Sequence, residues 1–115
     1  MQRVFRQYVH YPHGGYYERH LDDHHDVAPG SSAGVASRRA VSFILYLTPV
    51  DDPWTAEHGG ALRAFCTRED SEDEPIDYLP MSGSLVIFDS CRVEHAVMPT
   101  RRKRTCLIGW FHTPA

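Results

Sequence analysis

Apolar residues in this chain recur at every second position and show no run of helical spacing. In RRAVSFILYLT (38–48), closed by Pro49, the residues Val41, Phe43, Leu45 and Leu47 alternate with Ser42, Ile44 and Tyr46. Successive side chains of a strand point to opposite faces. Both faces of this run are apolar, which predicts a central strand covered above and below. RVFRQYVHY (3–11) stops at Pro12 and LVIFD (85–89) is apolar on both faces, so both read as strands. Shorter extended runs are GYYERHLD (15–22), ALRAF (61–65), IDYLP (76–80), HAVMP (95–99) and TCLIGWFH (105–112). Turn chemistry separates them. Pro12, Gly14 and Gly15 predict a hairpin between the first two strands, and Gly59-Gly60 offers a bulge or a close backbone approach before ALRAF. About eight short strands with turn signals between them predict an all-β fold, a double-sheet jelly roll.

Composition narrows the class. The 115 residues suffice for a single domain, 1–115, and 42% apolar residues suffice for a core. A net charge of −3 gives no reason to expect nucleic acid or an anionic membrane as partner. Cys66, Cys91 and Cys106 form no CxxC pair or disulfide framework, which favours a reducing, intracellular and cytoplasmic setting. MQRVFRQYVHY has no apolar export region, and no apolar run reaches membrane-spanning length. DDHHDVAPGSSAG (22–34) and the acidic CTREDSEDEP (66–75) read as loops.

The chemistry begins at YPHGGYYERHLD (11–22). In a strand His20 and Asp22 lie on one face, an imidazole beside a carboxylate. His24 and Asp26 repeat the spacing, but in a polar loop before Pro29, whereas the first pair ends an aromatic strand and is preferred. A third ligand would come from downstream, and His95 in SCRVEHAVMP is the best candidate. Two imidazoles and one carboxylate on one face of a metal, with the other face open, suit non-heme Fe(II). A bidentate keto acid at such a centre needs its far carboxylate held. Arg104, at the start of the last strand, supplies a forked donor, and Tyr46 a phenol.

Taken in order, Tyr11, Gly15, Tyr17, His20, Asp22, VSFILYL, GGALRAF, GSLVIFDS, His95, Arg104 and GWF resemble the prolyl 4-hydroxylase-like 2-oxoglutarate/Fe(II)-dependent dioxygenases over nearly the whole chain. The resemblance implies a double-stranded β-helix, the cupin-like jelly roll, with Fe(II) held by His20, Asp22 and His95. It implies 2-oxoglutarate held by Arg104 and Tyr46, with Tyr11 lining the same pocket and Trp110 on the cosubstrate side. The implied reaction hydroxylates a prolyl or other side chain of a peptide or protein, or a small molecule. It consumes O2, releases succinate and CO2, and commonly uses ascorbate to restore the iron.

Family members usually carry helices ahead of the first barrel strand, packed on the larger sheet, and here the first strand starts almost at Met1. If Tyr46 and Arg104 point inward, Val41, Phe43, Leu45, Leu47, Thr105, Leu107 and Phe111 point outward. A contiguous apolar face of that kind is uncommon on soluble monomers. The expectation is therefore an N-terminally truncated part of a longer protein, or a homodimer through the uncovered sheet. A non-catalytic jelly-roll module holding a metal structurally is the alternative function, and zinc hydrolase chemistry a more distant one.

Overall fold

The computed structural model describes residues 3–23, 37–65 and 74–114. Eight strands run in chain order: β1 (Arg3–Tyr11), β2 (Tyr17–His20), β3 (Ser37–Tyr46), β4 (Leu62–Phe65), β5 (Ile76–Tyr78), β6 (Leu85–Asp89), β7 (Glu94–Val97) and β8 (Arg104–Pro114). They form two antiparallel four-stranded sheets, β1-β8-β3-β6 and β2-β7-β4-β5, the expected jelly roll. The sole helical element among the described residues is one 3₁₀ turn, Ala56–His58. No helix of the described residues is long and apolar enough to cross a membrane.

The predicted hairpin between the first two strands does not form. β1 pairs with β8 and β2 with β7, so the segment between them crosses from one sheet to the other. Pro12 has no N–H with which to continue a ladder. The turn closes through Gly15 N–H donating to the Pro12 carbonyl at 2.8 Å. Its other backbone groups are taken by the loop before β8, with Gly14 N–H on the Thr100 carbonyl (2.6 Å) and Thr100 N–H on the Gly15 carbonyl (3.0 Å). A local turn signal reports that the chain reverses, and these distant partners decide where it goes.

The registers stack inward residues into layers. Val9 lies opposite Cys106, which lies opposite Tyr46; Gln7, Ile108, Ile44 and Val86 form the next layer. The buried cluster joins Ile44, Tyr46 and Cys106 of the first sheet to Leu62 and Val97 of the second. On the opposite face the expectation of cover above and below fails. Val41, Phe43 and Leu45 are only half-buried, and Leu85 and Ile87 of β6 are 53% and 63% exposed. The second sheet packs against one face only, leaving the outer residues to shield one another, as Phe43 and Phe111 do with ring centres 5.7 Å apart.

Candidate metal centre

His20 stands directly opposite His95 across the β2–β7 ladder, which places the two rings side by side with centroids 4.3 Å apart. Beyond β2 the chain turns toward the first sheet, because the N–H groups of Asp22 and Asp23 both donate to the Ser90 carbonyl at 3.1 Å. The turn brings Asp22 Oδ1 to 3.3 Å from His20 Nε2 and 3.2 Å from His95 Nε2. The ligand atoms of all three residues lie within 4.8 Å of one another.

This donor set fits a divalent metal. Ligands at neighbouring corners of an octahedron with bonds of about 2.1 Å are ~3.0 Å apart, and in a tetrahedron ~3.4 Å. The two contacts on Asp22 Oδ1 fall within that range. Each imidazole also has its outer nitrogen on a backbone carbonyl, His20 Nδ1 on Glu18 (2.7 Å) and His95 Nδ1 on Val93 (3.0 Å). A carbonyl accepts only, so both Nδ1 atoms carry the hydrogen when the rings are neutral, and both Nε2 lone pairs face Asp22. Burial pushes the Asp22 carboxyl up, but the contacts with the His20 and His95 rings and the Ser42 hydroxyl outweigh it and hold the group well below the usual carboxylate range. For His20 burial lowers the pKa, but its contacts with the Asp22 carboxylate and the Glu18 carbonyl outweigh that and raise it above the ordinary value. Asp22 is thus an anion ready to bind a cation.

A cavity of about 510 Å³ runs between the sheets from this cluster to Arg104. Arg104 is 1% exposed and Tyr46 is fully buried. The Arg104 Nε donates to the Gly60 carbonyl at 2.8 Å, while its outer nitrogens reach only the Cys106 sulfur (3.8 Å) and the Tyr46 hydroxyl (3.5 Å). Among the described residues no carboxylate pairs with this buried cation. Its guanidinium sits between the rings of Tyr11 and Tyr46, 5.2 and 5.1 Å from their centres. Burial pushes the Tyr46 phenol up to about 12, so it stays neutral and can donate at any ordinary pH.

All seven sequence-derived site residues line or abut this one cavity: His20, Asp22, His95, Tyr11, Arg104 and Trp110 line it, and Tyr46 touches Arg104. Trp110 sits at the metal end, its indole N–H donating to Asp22 Oδ2 at 3.0 Å. The rival pair His24 and Asp26 lies outside the described residues. Sequence reasoning missed Ser42, whose hydroxyl donates to Asp22 Oδ2 at 2.5 Å, and Ser90, 2.8 Å behind it. It also missed Arg39, whose guanidinium stacks 3.9 Å over Trp110 and donates to the Asp22 carbonyl. A serine two residues before the inward Ile44 and Tyr46 of β3 was the available signal.

A family model described as the 2OG-Fe(II) oxygenase superfamily matches residues 6–112. The chain is 33% identical over 89 residues to the prolyl 3,4-dihydroxylase OGFOD1 of Ostreococcus tauri, covering 69% of this chain and 17% of that protein. Among solved structures it is similar to a prolyl-4-hydroxylase of Pseudomonas putida, with TM-score 0.75 and 36% identity, covering 94% of this chain and 50% of the other. A prolyl hydroxylase from Trichoplax adhaerens, solved with a hypoxia inducible factor peptide fragment, matches with TM-score 0.70 and 25% identity, covering 92% and 42%. The chain therefore spans half or less of each of these relatives.

Proposed function

The chain belongs to the 2OG-Fe(II) oxygenase superfamily, and on that premise we propose that it is a 2-oxoglutarate- and Fe(II)-dependent dioxygenase that hydroxylates a prolyl side chain of a peptide or protein. His20, Asp22 and His95 hold the metal. Arg104 pairs through both outer nitrogens with the distal carboxylate of 2-oxoglutarate, and Tyr46 donates its hydroxyl to the same group. Bound there, iron, 2-oxoglutarate and O2 supply the oxidation: one oxygen atom enters the substrate C–H bond, and the other leaves in succinate as CO2 is released. Tyr11 covers the guanidinium, Cys106 and Ile108 line the wall between the two ends, and the apolar cavity limits water around the reacting atoms. Ascorbate keeps the iron reduced between turnovers. The prolyl substrate rests on what the relatives are named for. The free thiol of Cys106 suits a reducing compartment.

The observation that carries the reading is a buried, carboxylate-free guanidinium in the same cavity as two imidazoles and a carboxylate. A purely structural metal site has no use for such a clamp. The test is succinate release from 2-oxoglutarate by Fe(II)-reconstituted protein exposed to oxygen with ascorbate, which requires no knowledge of the substrate. Succinate should depend on iron, vanish in His20→Ala and persist in His24→Ala. A folded, iron-loaded sample that makes none would favour the structural-metal reading instead.

A further inference from the structure

We propose that Ser42, Ser90 and Trp110 are positioning residues that hold Asp22 as a one-oxygen metal ligand; the inference rests on the metal reading above. Asp22 Oδ1 faces the two imidazoles. Its other oxygen, Oδ2, receives the Ser42 hydroxyl at 2.5 Å and the Trp110 indole N–H at 3.0 Å. An ionised carboxylate only accepts, so Ser42 must spend its single hydrogen on Asp22. Ser42 then has only a lone pair to offer Ser90, and Ser90, 2.8 Å away and fully buried, is the donor of that pair. The direction of the whole chain of hydroxyls is therefore determined, from Ser90 to Ser42 to Asp22.

Ser90 also grips the backbone of the ligand. Its carbonyl accepts the N–H groups of Asp22 and Asp23, and its own N–H donates to the Ala40 carbonyl on β3 at 3.0 Å. Arg39 closes the other side, stacked on Trp110 and donating to the Asp22 carbonyl at 3.1 Å. For Oδ2 to swing onto the metal as a second ligand atom, two hydrogen bonds to a charged group would have to break at once. Held as it is, the carboxylate occupies one coordination position, and three of six remain for a bidentate cosubstrate and O2. Freed, it can chelate and occupy a position that O2 needs.

Mn(II), which favours six-coordinate oxygen-rich sites, reports this directly through the water-proton relaxation of the loaded protein without 2-oxoglutarate. Wild type should give three exchangeable inner-sphere waters. The double variant Ser42→Ala/Trp110→Phe should keep Mn(II) and give two, a fall of about one third in the inner-sphere relaxation. Ser42→Thr, which keeps the hydroxyl, should restore the wild-type count in the presence of Trp110. A merely structural role for these residues would change stability or metal occupancy and leave the waters per bound ion unchanged. Three waters in the Mn(II)-loaded double variant, or two in wild type, would overturn the proposal, and the wild-type count needs no variant to fold. A wild type that binds no Mn(II) would fail the metal reading itself, which the occupancy measurement shows separately.

Discussion

Replacing Arg104 by Met tests the cosubstrate clamp without touching the metal ligands. Arg104 is 1% exposed, and its outer nitrogens contact only a sulfur and a phenol. A buried charge of that kind is costly until an anion pairs with it. Without ligand, removing the charge is favourable but strips the Gly60 carbonyl of its donor. Each effect is of order 1–3 kcal/mol, so the unliganded melting temperature should move little. With ligand the balance is one-sided. Losing one partner of a desolvated, hydrogen-bonded charge pair costs about 2–5 kcal/mol, which raises the Kd for 2-oxoglutarate roughly 30-fold to a few thousand-fold. The assay is thermal unfolding with saturating Mn(II), with and without 2-oxoglutarate at one hundred times the wild-type Kd. Wild type should gain about 2.7 kcal/mol, and the variant at most about 0.9. For a domain of this size that is roughly 10 °C against less than about 4 °C. Mn(II) alone should still stabilise the variant, because His20, Asp22 and His95 make no contact with Arg104. A variant that keeps the full 2-oxoglutarate increment would refute the assignment of the clamp.

Gly60→Ala should destabilise the fold by about 1–3 kcal/mol and weaken 2-oxoglutarate binding with it. Gly60 has φ +70°, and a Cβ there would meet Thr100 Oγ1 at 3.1 Å and Arg104 Cδ at 3.2 Å. Chemical denaturation and titration calorimetry would check the two effects, and unchanged values of both would contradict this packing. Ile87→Lys with Leu85→Lys should raise the concentration at which the chain stays monodisperse in light scattering, at a stability change within about 0.5 kcal/mol per site. Aggregation that persists unchanged would mean the outer sheet face is not its cause.

The strands were legible because alternation and β-branched or aromatic residues mark them locally, and the inward set follows from parity alone once Tyr46 or Arg104 is assigned. The convergence of His20, Asp22, His95 and Arg104 on one cavity was legible because the proposed metal ligation and carboxylate binding would demand particular side chains. Strand partnership was not. Pro12, Gly14 and Gly15 encode a reversal, yet Gly14 and Gly15 bond to Thr100, far along the chain. Nor were Ser42 and Ser90: a hydroxyl bonds almost anything, and only the folded chain brings these two within 2.8 Å. Trp110 was legible as a cavity aromatic and not as a donor to Asp22, because its ring satisfies the apolar pattern whichever way the N–H points.

The last strand converts that parity into a distance. β8 presents Arg104, Cys106, Ile108 and Trp110 to the cavity in sequence. Its first member, Arg104, is the proposed clamp and reaches Tyr46, and its last, Trp110, bonds Asp22. At about 3.3 Å per residue their Cα atoms are ~20 Å apart, and the long side chains reach inward from both ends. A slip of one residue would turn all four outward, and a slip of two would move the clamp ~7 Å against the metal ligands. The register therefore has to be held from both sides. β1 places Tyr11 opposite Arg104, and β3 places Tyr46 opposite Cys106 and Ser42 opposite Trp110. The same ladders that build the sheet thus set the spacing between the candidate metal ligands and the proposed clamp, and residues that belong to neither, such as Val9 opposite Cys106, help to fix that length.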